Sequence, residues 1–108
     1  MNFNEYQILA DRTRAHDLND REAIAMTALG LTGESGECAD IIKKHLYHNH
    51  PLDRDKVIKE LGDVLWYVAI MAKEIGVELS EVAEKNIAKL RARYPEGFST
   101  ERSMNRSE

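Results

Sequence analysis

Four acidic residues stand in two pairs, Glu34 with Glu37 and Glu60 with Asp63, each pair three positions apart. Residues at that spacing are surface neighbours on a helix, so each pair presents its oxygens towards one point. Two such helices side by side would set four carboxylates around one site. Ionised together they repel one another, and a hard divalent cation, Mg²⁺ or Mn²⁺, both relieves the repulsion and suits all-oxygen ligands. A di-iron bundle competes for the same acidic pattern. It uses a Glu-x-x-His pair on each of two helices, and no histidine here follows a glutamate by three positions. His45, His48 and His50 cluster near one loop, where zinc is conceivable, but Cys38 is remote and no fourth ligand is evident.

Four helices are needed to position these groups. The first is expected from Asn4 to Arg14, with Tyr6, Leu9, Ala10 and Thr13 at helical spacing. After the polar break 16–20, Asn19 and Glu22 resemble a capping box that opens a second helix reaching about Leu46. Pro51 cannot continue that helix, and Asp53 is a good cap for a third, spanning about Arg54 to Ile75 and stopping at Gly76. Ser80 is the expected cap of a fourth helix that ends near Tyr94, before Pro95 and Gly97. Residues 1–98 form the expected domain, and 99–108 a polar, mobile tail.

Two of these helices break ordinary design rules. Ala23, Leu31, Cys38, Ile41 and Ile42 share one face of the second helix, and Glu34 and Glu37 fall within that arc. Carboxylates on a core-facing stripe are expensive unless something pairs with them. Gly30, Gly33 and Gly36 in the same helix each cost about 1 kcal/mol relative to Ala, and their spacing admits a second backbone or a ligand. The third helix carries a main stripe of Val57, Leu61, Val64, Val68, Met71 and Ile75, with Trp66 and Ile70 nearly opposite. A helix apolar on two sides is buried on two sides, so the Trp66 side is expected to meet another subunit. On the fourth helix, Ala83, Ile87, Leu90 and Tyr94 form the stripe, and Asn86, Lys89 and Arg93 run along its edge.

Composition narrows the class. The chain has 108 residues, a formal charge of −4 with both signs interspersed, and one cysteine. That argues against nucleic-acid binding through a basic face and rules out an intrachain disulfide. Cys38 lies on the core-facing arc and reads as packed rather than nucleophilic. The start of the chain lacks the features of a signal peptide. The longest apolar stretch, Val64–Ala72, is far short of the roughly 20 residues a spanning helix needs. A soluble, cytoplasmic protein is expected.

The segment Gly30-Leu31-Thr32-Gly33-Glu34-Ser35-Gly36-Glu37, followed by Lys59-Glu60-Leu61-Gly62-Asp63-Val64-Leu65-Trp66-Tyr67, resembles the MazG-type nucleotide pyrophosphohydrolases. The run from Lys85 to Pro95 is similar to that family's last helix. The resemblance implies an all-α, four-helix MazG-type bundle completed by oligomerisation, as a homodimer or homotetramer. It implies a Mg²⁺-dependent enzyme that cleaves a (deoxy)nucleoside triphosphate to monophosphate and pyrophosphate, in nucleotide-pool clearance. Glu34, Glu37, Glu60 and Asp63 match the family's metal ligands; Asn86, Lys89 and Arg93 match positions that contact phosphate or sugar. Glu34 or Glu37 is the expected proton acceptor. Trp66 is placed to stack on a nucleobase or to pack at an interface, and Tyr67 has the same two readings. Tyr6 and Leu9 are expected in the core or lining a base pocket. The competing function is a helical oligomer that binds nucleotide or protein without turnover; a scaffold has no use for the carboxylate quartet.

Overall fold

Side-chain caps decide where the helices of this chain begin. In the computed structural model, which describes residues 1–106, the helices are α1 (Phe3–Asp11), α2 (Asp20–Tyr47), α3 (Arg54–Glu74), α4 (Leu79–Arg93) and α5 (Thr100–Met104). Asn2 with Glu5 and Asn19 with Glu22 close reciprocal capping boxes on α1 and α2. Each satisfies backbone N–H groups that have no partner within the helix. Asp53 accepts from the Asp55 and Lys56 amides at 3.1 and 3.2 Å to start α3. Among the described residues there is no β-strand, so the all-α expectation holds.

The fourth helix begins differently from the expectation. It starts at Leu79, and the Glu78 side chain in the cap position makes no capping bond to the helix, accepting instead from Asn4 Nδ2. Its first N–H groups are satisfied by α1 instead: Leu79 N donates to Gln7 Oε1 and Ser80 N to Asn4 Oδ1, both at 3.0 Å. Ser80 is therefore capped rather than capping. Gln7 is buried, and its Nε2 also donates to the carbonyls of Ala69 and Val77 at 3.1 Å. One amide side chain thus pins α1, the end of α3 and the start of α4 together, and its own burial is compensated by three bonds. Gly76 adopts φ +79°, the left-handed turn that ends α3. A short fifth helix, opened by Ser99, is additional to the four that the periodicity indicates. Ser107 and Glu108, the end of the expected tail, lie outside the described residues.

α2 and α3 make the most extensive contact, α1 lies on α3, and α4 rests on α1 and α3. The side of α3 expected to meet another subunit is the one covered within the chain. Ile70 and Ala69 are fully buried, and Trp66 Nε1 donates to Thr13 Oγ1 at 2.8 Å, just beyond α1. Arg14 adds ion pairs to Asp11 and Glu74 at the same junction. The nominal main stripe is the more open one: Leu61 is 55% and Ile75 63% exposed. Both faces satisfy the helical period, and the period alone does not say which one the chain itself covers.

Candidate metal centre and substrate site

α2 and α3 run antiparallel, because a short loop joins them. Its turn is set by Asn49 at φ 58° and by His45 Nδ1, 2.8 Å from the carbonyl of His50. The register follows from one close approach. A Cβ at Gly30 would lie 2.1 Å from the Tyr67 ring, so glycine is required there for the ring to lie on the α2 backbone. One turn further along α2 is Glu34, and one turn back along α3 is Asp63. The same register brings Glu60 to the site. One carboxylate oxygen from each of Glu34, Glu60 and Asp63 lies within 4.8 Å of the other two.

The electrostatics of this group are strained in one direction. Glu34 is held above the ordinary carboxyl range, first by a side-chain hydrogen bond with Glu60, then by desolvation and by the charges of Asp63, Glu60 and Glu37. The neighbouring acidic groups thus favour the protonated form of Glu34. Even so, Glu60 Oε2 is buried without a hydrogen-bond partner. A buried carboxylate oxygen left bare is costly. Hard oxygen donors, mutual repulsion and an orphaned oxygen together fit a divalent cation held by these three residues. Glu37, the fourth expected ligand, is exposed and stands outside the three-residue group, while its charge still reaches Glu34. Among the described residues, the loop histidines form no comparable cluster.

Two further side chains sit beside the acidic group. Cys38, four residues after Glu34, has its thiol pushed up by desolvation and by the charges of Glu60, Glu34 and Asp63. It is held protonated, not activated. Tyr6 of α1 is raised by burial and then by Asp63, which places it at the edge of the site. The one-turn spacing makes the position of Cys38 readable from sequence. Tyr6 is recognisable there only as a residue on the inner face of its helix, since its neighbour lies 57 positions away.

On the other side of Tyr67 opens a mainly apolar cavity of about 660 Å³, bordered by Leu18, Met26, Leu29 and Gly30. Tyr67, one helical turn after Asp63, is thus part of the wall of an apolar groove. Trp66 stacks edge-on against Tyr67, with centroids 4.8 Å apart, while its indole is tied to Thr13. On α4, Asn86 and Lys89 are exposed and Arg93 is half-buried. That helix packs on α1 and α3, whereas the acidic group belongs to α2 and α3.

The profile of the MazG nucleotide pyrophosphohydrolase domain matches residues 22–98. The matched span takes in α3, α4 and nearly all of α2, including every carboxylate of the site. The Gene 37 protein of Mycobacterium phage L5 is 38% identical over 105 residues, covering 90% of this chain and 92% of its own length. No solved structure gives a significant match.

Proposed function

This chain belongs to the MazG nucleotide pyrophosphohydrolase family, and on that premise we propose that it hydrolyses (deoxy)nucleoside triphosphates to monophosphate and pyrophosphate with Mg²⁺ as cofactor, Mn²⁺ being an alternative. The observation that carries the reading is the convergence of Glu34, Glu60 and Asp63, with one buried oxygen of Glu60 unpartnered. These three residues would hold the cation. When bound, it supplies charge neutralisation for the triphosphate and acidifies water.

Glu37 is exposed and free of the three-oxygen group, so it is available as the acceptor of the attacking water's proton; Glu34 is the other candidate. The water oxygen bonds to the α-phosphorus as the bond to the α–β bridging oxygen breaks, and pyrophosphate leaves. Phosphoryl transfer of this kind depends on positioning and electrostatics more than on covalent chemistry. Lys89 and Arg93 balance charge on the departing pyrophosphate, and Asn86 contacts phosphate or sugar. The base lies in the groove against Tyr67, with Trp66 backing that ring.

The working form is an oligomer of identical chains, a homodimer or homotetramer. The radius of gyration is 16.9 Å, against about 13 Å for a compact domain of this length. The surface, 8288 Å², exceeds the roughly 6,100 Å² expected of a folded monomer of this mass. A second chain restores the missing burial. The biological role is clearance of unwanted nucleotides from the cytoplasmic pool. The experiment is a nucleotide panel assayed for pyrophosphate release. Turnover should require divalent cation and vanish in Glu37→Gln and Glu60→Gln; a cation-independent signal, or nucleotide binding without release, opposes the proposal.

A further inference from the structure

The turn after α4 folds the chain back on itself. Gly97 takes φ +90°, the Tyr94 and Phe98 rings meet at 5.3 Å, and Ser99 Oγ accepts from the Arg102 amide at 3.0 Å. These local contacts set α5 beside the last turn of α4. Between them is a cavity of about 490 Å³, whose lining among the described residues includes Arg93, Arg102 and Arg106 and one carboxylate, Glu101. Among the described residues, neither Arg102 nor Arg106 forms an ion pair. In a chain with a net charge of −4, Arg102 and Arg106 gathered beside Arg93 are, among the described residues, a local concentration of positive charge.

Guanidinium groups are planar forks that match phosphate oxygens two at a time. Arg102 and Arg106, without an ion pair among the described residues, leave positive charge on this hollow that an entering anion offsets. The hollow is larger than one phosphate needs, and three forks can serve more than one phosphoryl group. We propose that this cavity is an oligophosphate site, taking inorganic pyrophosphate or the β- and γ-phosphates of a nucleotide, with Arg102 and Arg106 of α5 as its binding residues beside Arg93. The identity of the anion rests on the pyrophosphohydrolase reading, which supplies it both as part of the substrate and as the product. The competing explanation is that the arginines only neutralise the carbonyl end of α4.

The test is a titration of the full chain with inorganic pyrophosphate in the absence of divalent cation, followed by amide NMR and calorimetry. Removing the cation keeps the carboxylate site from capturing the ligand, so failure of the hydrolase reading leaves this result intact. The expected result is shifts confined to residues near 93–106 and about tenfold or greater weakening in the Arg102→Gln/Arg106→Gln double variant. The double variant Arg102→Lys/Arg106→Lys, which keeps the charge and loses the fork, should fall between. No shift in this segment, or equal binding by the double Gln variant, overturns the proposal. With Mg²⁺ and nucleotide, a raised KM in the double Gln variant identifies the substrate's own phosphates as the occupant. An unchanged KM with weakened product inhibition identifies free pyrophosphate; either supports the site.

Discussion

At Glu34 the competition between proton and cation is the main event. Its carboxyl is raised because Glu60 shares a hydrogen bond with it, because it is partly desolvated, and because the charges of Asp63, Glu60 and Glu37 surround it. A carboxyl raised in the folded state favours folding at low pH, and that contribution is lost as pH climbs through the raised value. The metal-free protein should therefore lose thermal stability as pH rises through this range, and Mg²⁺ should restore it. Melting curves in chelator and in Mg²⁺ across pH test this, and an unchanged slope in Glu34→Gln contradicts it. In the proposed mechanism Glu37 plays a different part. It is exposed, so Glu37→Gln should leave the melting temperature nearly unchanged while lowering kcat by roughly a hundredfold or more. The paired spacing made all four carboxylates visible in the sequence. Their unequal burial was not, because it depends on how α3 rolls against α2.

At the scale of the helices, Gly30 and Gly33 look alike in sequence and differ in place. Gly30 faces the Tyr67 ring, whereas a Cβ on Gly33 or Gly36 would meet nothing within 4 Å. Gly30→Ala must displace the ring. The strain, about 1–3 kcal/mol, outweighs the gain in helix propensity of about 1 kcal/mol. Gly33→Ala has no such opposition and should stabilise the chain by about 0.5–1 kcal/mol. Chemical denaturation of the two variants should give opposite signs; destabilisation at Gly33 would mean that another chain presses there. Helix starts at Asn19 and Asp53 were legible because their caps are local in sequence. The start of α4 was not, since its caps, Asn4 and Gln7, come from 76 and 72 residues away. Gln7 carried no apolar signal, yet it is one of the most buried side chains.

The whole chain exposes more than a stable monomer of its size should. Leu29 is 75% exposed, and Ile58, Leu61 and Leu65 run along α3 as an open row. Such a face needs a partner, and in the proposed oligomer that partner is a second copy. Sedimentation should show an oligomer that Leu61→Asp dissociates; a wild-type monomer would contradict that assignment. Among the described residues no helix is long and apolar enough to cross a membrane. The apolar sides of α3 were both legible, but their division between intrachain and open surface was decided by α1, whose docking through Gln7 and Thr13 no periodicity reveals. The reaction itself has one direct test: ³¹P NMR of a nucleoside triphosphate turned over with Mg²⁺ in ¹⁸O-labelled water. Monophosphate plus pyrophosphate are expected, with the label on the monophosphate. Diphosphate plus orthophosphate, or label on the pyrophosphate, would contradict the proposed reaction.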